Sequence, residues 1–357
     1  MKKSTLIFAA LFASSFAMAQ NTATTTQDGN GNNSETTQTG LNQSSTVDQK
    51  GADNESVVRQ FTNNNGAQSS TVSQYGTSNS AVVEMNQTGG GGNSPGNFAS
   101  ITQLGTSNSV EQTLNAGGYN SGQNASAFQD GISNTLTQTM HSGYTQSMSS
   151  IQFGTSNSGN QEITGGGHNH ATLRQDGIEN SANQLLFGTN QGSGAADVLI
   201  DQAGSFNTAS QQFEGGGFSQ RNNGVIIQDG TSNTASQFGD GTFLDYRISQ
   251  TGESNESHII GAGDRNTGII TQDGDLNVAN LTQAGSNNIA TFTQTGNGNV
   301  IRGIGGDPVL QLDSDLTATV MQSGNLNTAI LSQTGDGHTA TIMQSGNMNT
   351  ATIIQGN

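Results

Sequence analysis

The phrase Gln-x-Gly-x-x-Asn, repeated from residue 27 to residue 349, constrains this chain more than any other feature. It opens at Gln27, Gln49, Gln74, Gln103, Gln129, Gln152, Gln175, Gln202, Gln228, Gln250, Gln272, Gln294, Gln322 and Gln344. Its closing residue falls at Asn32, Asn54, Asn79, Asn108, Asn134, Asn157, Asn180, Asn207, Asn233, Asn255, Asn277, Asn299, Asn327 and Asn349, so all fourteen copies are whole. The step between copies is 22 residues where it is most regular and stretches to 29 elsewhere. A period of this size means a stack of like units that bury their apolar faces against their neighbours.

Each unit reads as strand. In Asn327-Thr-Ala329-Ile-Leu331-Ser-Gln333, alternate residues share a face, so Asn327, Ala329, Leu331 and Gln333 point together. The set recurs as Asn349, Ala351, Ile353, Gln355 and as Asn54, Ser56, Val58, Gln60. Helical three- and four-residue spacing is missing. Between strands, Gly supplies a positive φ and Asn bonds its own backbone. This template predicts 28 seven-residue strands, the first beginning at Asn21, two to a rung and fourteen rungs in all. Rungs about 4.8 Å apart make an all-β, parallel β-solenoid roughly 65 Å long, cross-β in any fibre it forms.

The first strand of every rung closes on Gln. The second strands are looser: Met85, Leu114, Met140, Ile163, Leu186 and Phe213 stand in place of Gln, and Gly239, Gly261 and Gly305 are expected to leave the site empty. Insertions such as "NQTGGGGNSPG", "NAGGYNSG", "EGGGFSQ" and "GGDPVLQLDSD" each follow a second strand, which places them along one edge. Pro95 and Pro308 both fall in insertions, where a missing N–H does no harm. Phe213, Phe292 and Ile353 fall on the inward register, whereas Phe98, Phe128, Phe238 and Ile227 fall outward. An inward amide bonded to its copy one rung away contributes about 0.5–1.5 kcal/mol, and one left alone costs about 1–3 kcal/mol. The ladder expectation therefore rests on the Gln and Asn rows. Strands reach from Asn21 to Gln355, which predicts uncapped ends that template another chain.

Composition narrows the class. Only 30% of residues are hydrophobic and 10% charged, with no Cys and no Trp. A globular domain is about 45–50% apolar and roughly 25% charged. Few charges and many amides suit strands that stack on copies of themselves. Lys2 and Lys3, the apolar run Leu6 to Phe16 and Ala17-Met18-Ala19 have the layout of a secretory signal peptide cleaved after Ala19. Residues 20–357 then form the repeat region. Without Lys2 and Lys3 the chain carries seven basic and 26 acidic residues, a balance that argues against nucleic acid as a partner.

The phrase, with a small inward residue before each Gln and Gln–Asn–Gln at fixed steps, resembles the curlin repeat; "ILSQTGDGHTATIMQSGNMNTATIIQGN" is close to it along its whole length. The resemblance covers residues 21–357. It implies a subunit of curli, the extracellular amyloid fibres of Gram-negative biofilms, acting in adhesion and aggregation. It further implies homopolymerisation, export through an outer-membrane pore, a separate nucleator subunit and periplasmic accessory proteins. The terminal repeats after Gln322 lack basic residues, which is similar to the polymerising, major subunit rather than the nucleator. The chain departs from the family pattern in carrying many more repeats and in beginning them at Asn21, where curlins hold an addressing segment for the pore.

Catalytic patterns are not evident: there is no Cys nucleophile, no G-x-S-x-G elbow and no HExxH helix. No enzyme activity, cofactor or metal is expected. His168-Asn-His170 sits in a Gly-rich insertion and His338 takes a ladder Asn position, both read as polar turn residues, like His141 and His258. "QDGDL" at Gln272–Leu276 has only a faint likeness to a calcium loop, and the calcium-stacking nonapeptide does not repeat. The competing reading is a monomeric solenoid that binds a surface, ice-binding or adhesin-like. Outward Thr22, Thr24, Thr26, Thr339 and Thr341 favour it, but the same row is irregular in the middle rungs.

Overall fold

The computed structural model describes residues 20–62, 67–88, 96–117, 122–143, 145–188, 196–215 and 221–356. The leader expected over residues 1–19 lies outside them, as do Pro95 and parts of several insertions, among them "NQTGGGGNSPG", "NAGGYNSG" and "EGGGFSQ". The described chain is an all-β, parallel solenoid, with no α-helix among the described residues. Its 29 strands, β1 to β29, form a front sheet of fourteen and a back sheet of fifteen. The front sheet runs from β1 (Thr22–Asn30) to β28 (Thr339–Ser345), and the back sheet from β2 (Asn33–Thr39) to β27 (Thr328–Thr334) and β29 (Thr350–Gln355).

Register follows the repeated phrase. Gln27 lies opposite Gln49 and Gly29 opposite Gly51, and the same match is made at Gln322 and Gln344. Many front strands run to nine or ten residues, longer than the seven expected, because pairing continues past Gln through the Gly. There the backbones approach too closely for any side chain. Gly51 has φ 120°, and a Cβ on it would stand 2.0 Å from the Gly76 carbonyl oxygen. The chain then turns at the residue before each ladder Asn, in the left-handed region even where that residue is Ser78 (φ 56°) or Leu326 (φ 58°). This conformation costs an L-residue about 1–2 kcal/mol, so the bonds made by the following Asn must hold it.

Between the sheets lies a single-file core of Val47, Val72, Ile101, Leu173, Ile200 and Phe292 from the front and Val58, Leu136, Phe213, Leu281 and Leu331 from the back. A fully buried side chain of this size contributes about 1.5–3 kcal/mol. Ile353 packs on the core half-buried. Phe98 faces outward and exposed, and the Phe128 ring leans on Phe153 with centroids 5.6 Å apart on the outer face.

The back sheet departs from the template in three places. First, β24 (Val300–Arg302) stops after three residues, the turn Ile304–Gly306 and Pro308 loop outward, and β25 (Val309–Leu312) rejoins the same level. Gln311 thereby sits between Gln283 and Gln333. Gly305 does not hold the closing site, and this insertion interrupts its strand instead of following it, which adds one strand to the expected 28. Second, the sites at Gly239 and Gly261 are not empty. The Phe213 ring lies 2.7 Å from the position of a Cβ on Gly239, and the Tyr246 phenol fills the space at Gly261. The two rings stack at 6.2 Å. Third, the middle rungs keep a Gln row that the template did not contain, two residues before the expected position.

Candidate assembly edges and amide ladders

The front-sheet Gln residues form one unbroken ladder. Each Nε2 donates to the Oε1 of the next rung, from Gln27 to Gln344, in thirteen bonds of 2.7–3.0 Å. The second Nε2 hydrogen crosses to the back sheet: Gln74 reaches the Glu55 carbonyl and Gln152 the Thr135 carbonyl, each at 2.9 Å. One side chain thus ties the stack lengthwise and the two sheets crosswise. That double duty explains why a buried amide is tolerated among aliphatic neighbours.

The Asn row carries the opposite polarity. The backbone N–H of Asn54 donates to Asn32 Oδ1 at 3.1 Å, and the pattern repeats to Asn349 on Asn327 at 3.0 Å. From Asn32 to Asn327 each Asn Nδ2 also reaches the Gly carbonyl of the following rung, as Asn54 does to Gly76 at 3.0 Å. This is the bond that locks the left-handed turn.

The back sheet has three ladder segments. Gln38 bonds Gln60 at 2.8 Å, and Gln283, Gln311, Gln333 and Gln355 follow one another at 2.8–2.9 Å. Between them, Gln112, Gln138, Gln161, Gln184, Gln211 and Gln237 form the row absent from the sequence template, with five bonds of 2.7–3.0 Å. Sequence reasoning missed it because attention stayed on the closing position, where Leu114, Met140, Ile163 and Leu186 stand. A search for Gln at any fixed inward position would have found it.

A fourth column lies on the surface and also escaped sequence reasoning. Glu253 N–H donates to Asp275 Oδ1, Asp275 to Asn297, Asn297 to Asn325 and Asn325 to Asn347, at 2.8–3.0 Å. These residues sit three after each Gln, a spacing visible in the chain.

Because the ladders are directional, their ends differ. Where a segment begins inside the stack, its first oxygen is stranded: Gln112 Oε1 and Gln283 Oε1 are buried without a donor. At the outer edge of β1 and β2 no strand pairs among the described residues, and Gln27 Oε1 and Gln38 Oε1 have no donor there. At the outer edge of β28 and β29, Asn349 Oδ1 has no donor among the described residues; Gln344 accepts from Gln322 on Oε1 and donates one Nε2 hydrogen to the Thr328 carbonyl, and its other Nε2 hydrogen has no acceptor there. Acceptors wait at one edge where donors wait at the other, and the reverse holds for Asn.

Ionic contacts are peripheral. Arg59–Glu84 at 2.9 Å and Arg174–Asp201 at 3.1 Å are partly exposed and contribute little. His258 bonds Ser236 at 2.6 Å and meets Glu256 at 3.1 Å on the outer face. His168 occupies a left-handed turn position. Among the described residues no group of three or more His, Cys, Asp or Glu is gathered in a metal-binding arrangement. Among them, too, no helix is long and apolar enough to cross a membrane.

Residues 314–346 and 327–356 match the family model described as the curlin associated repeat. No curated protein matches the chain.

Proposed function

We propose that this chain, which carries curlin associated repeats over residues 314–356, is the polymerising subunit of a curli-like extracellular fibre. In this reading the leader directs export, the released chains join head to tail, and the product is a cross-β fibre of a Gram-negative biofilm matrix that serves adhesion and aggregation. The outer-membrane pore, nucleator subunit and periplasmic accessory proteins enter as the partners that the repeat family implies. The carrying observation is the pair of edges left unpaired among the described residues: every ladder that ends at β1 and β2 finds its complementary groups at β28 and β29. A second copy is the one surface that supplies all of them in register.

Negative charge supports the order of events, because acidic chains repel each other until edge bonding prevails. The experiment is electron microscopy, thioflavin binding and fibre diffraction on the purified chain from residue 20. Long unbranched fibres with reflections near 4.7–4.8 Å and about 10 Å are expected. A chain that stays monomeric for days at high concentration and neutral pH overturns the proposal. The monomeric surface-binding alternative would give that result.

A further inference from the structure

The turn of the first rung, Gln27-Asp-Gly-Asn30-Gly31-Asn32, has one counterpart in the chain, Gln294-Thr-Gly-Asn297-Gly298-Asn299. In the counterpart, each residue of the Asn-Gly pair meets the rung on one side. Asn297 Oδ1 accepts the N–H of Asp275 from the preceding rung at 3.0 Å. Gly298 faces the other way: a Cβ on it would stand 2.9 Å from Cδ2 of Leu326 in the following rung, just as Gly31 faces Asp53 of the rung after it. The rung before Gly298 also carries a large apolar residue at this place, Leu276, exposed at 62%.

At Asn30 the same residue has no such use within the chain. Among the described residues no rung precedes it and its side chain has no hydrogen-bond partner. The turn itself does not need Asn there, since Ala52, Thr77, Ile132 and Ser205 hold the equivalent place before the same left-handed residue. The surface column that would use Asn30 is found at the other end of the molecule. It runs through Asp275, Asn297 and Asn325 to Asn347, whose own N–H has no acceptor among the described residues. Beside it stands Met348, in the left-handed conformation (φ 58°) and 75% exposed.

We infer that a second copy of this chain docks on β1 and β2 in one register only, with the Asn347 N–H of one copy donating to Asn30 Oδ1 of the next and Met348 lying beside Gly31. The inference rests on the head-to-tail reading and adds to it a fixed register and rotation. Two rotations are open to a two-strand rung: β28 continues either onto β1 or, after a half turn, onto β2. In the rotated join the Asn347 turn meets Gln38-Thr-Gly-Leu41, and Leu41 has no acceptor for it. The unrotated join places Gln344 on Gln27, Asn347 on Asn30 and Asn349 on Asn32, so every donor of the closing edge meets an acceptor and every acceptor a donor. It also repeats the register of a junction already built into the stack, with Asn347 and Asn30 in the places of Asp275 and Asn297, and Met348 and Gly31 in those of Leu276 and Gly298.

The chain contains no Cys, so engineered thiols report the join directly. Neighbouring residues of paired strands lie about 4.8 Å apart, within the Cα range of roughly 4.4–6.8 Å that a disulfide needs. Positions 30 and 347 stand on the order of 60 Å apart in one chain, thirteen rungs away, so only an intermolecular bridge can form. N30C/N347C fibres treated with diamide should run as a ladder of covalent multimers on a denaturing gel, collapsed by reductant, while L41C/N347C fibres and N347C fibres should stay monomeric. Fibres in which L41C/N347C or N347C alone cross-links, or in which N30C/N347C does not, overturn the register while leaving head-to-tail assembly standing. Wild-type chains that form no fibres overturn the assembly reading and this one together. As a second readout, Asn30→Ala removes the acceptor and should slow elongation from wild-type seeds about fivefold, whereas Asn30→Asp, the acceptor type present at Asp275, should not. Equal rates for Asn30→Ala and wild type overturn the inference.

Discussion

The phenol of Tyr246 occupies the space left by Gly261: a Cβ at residue 261 would stand 1.5 Å from the Tyr246 oxygen. Tyr246 belongs to the front sheet and Gly261 to the back sheet of the same rung, where the closing Gln is missing. An aromatic ring from across the core has replaced an amide ladder with packing. The hydroxyl is buried and has no hydrogen-bond partner among the described residues.

Gly261→Ala should therefore force the Tyr246 ring off its position and lower stability by about 1–3 kcal/mol, the usual cost of overpacking. Tyr246→Phe removes an unsatisfied hydroxyl without changing the ring, and should be neutral or stabilising by up to about 1 kcal/mol. Guanidinium unfolding midpoints of the soluble chain measure both. A destabilised Tyr246→Phe would show that the hydroxyl has a partner.

Alkaline pH tests the same site. Burial pushes the Tyr246 hydroxyl above its ordinary value, and Tyr75 is raised as well, first by its hydrogen bond to Asp48. A raised value means that the folded state keeps its proton after the unfolded chain has lost it. Stability should be full below about pH 10 and fall above it. Unfolding midpoints at about pH 8 and about pH 11 should converge in Tyr246→Phe, while Tyr75→Phe, at an exposed site, should change the slope little.

The front sheet was legible because its ladder uses one residue type at one place, Gln27 through Gln344, with Gly and Asn at fixed steps after it. The back sheet was not, for reasons of volume. In the rungs of Gln112 to Gln237 the amide moves to the middle of the strand, where its Nε2 reaches a front-sheet carbonyl such as that of Val225 at 2.9 Å. An apolar residue, Leu114, Met140, Ile163, Leu186 or Phe213, then takes the closing place in all of these rungs but the last, in a core that holds small front-sheet residues such as Ala99, Ala125 and Ala171. A single-position template sees only the lost Gln. Gly305 misled for another reason: a bulge conserves the ladder by restoring Gln311, and counting residues from Asn299 cannot reveal where the strand resumes. The turn column at Asp275, Asn297, Asn325 and Asn347 was present in the sequence as a regular spacing, yet its meaning depends on knowing that the acceptor belongs to the neighbouring rung.

The displaced back-sheet row should be as costly to break as the front one. Gln161→Ala leaves the Gln138 Nε2 and the Gln184 Oε1 without their bonds of 2.7 and 2.8 Å. We expect a loss of about 2–3 kcal/mol from the unfolding midpoint. Glu162→Thr, one residue away on the outer face, should change stability by less than about 0.5 kcal/mol. Comparable losses would mean that the amides exchange with water and the row is not sealed.

In the front ladder, Gln272→Ala with Gln294→Ala removes three consecutive rungs of bonding, because Gln272 links Gln250 to Gln294 and Gln294 links onward to Gln322. Under the proposed function this should slow assembly or loosen the fibres formed. Thr291→Ser with Thr293→Ser, on the outward face, should leave both unchanged. Thioflavin kinetics and resistance of the fibres to denaturant separate the two pairs, and equal effects would contradict the inward placement of Gln as the working part of assembly.

Growth should depend on the terminal rungs more than on the middle. Residues 316–357 present Gln344, Asn347, Asn349 and Gln355 at the open edge, the groups argued to receive the next copy. Deleting residues 229–250 removes one internal period, joins Gln228 to Thr251 and keeps the Gln-x-Gly spacing intact. It also brings Phe213 opposite Gly261 instead of Gly239, one glycine for another, and takes away Tyr246, so the core has room for the exchange. The internal deletion should therefore still elongate wild-type seeds, while the chain lacking residues 316–357 should not extend them at the same rate. Fibre growth that survives the terminal deletion and stops with the internal one would place the docking surface elsewhere and end the head-to-tail model.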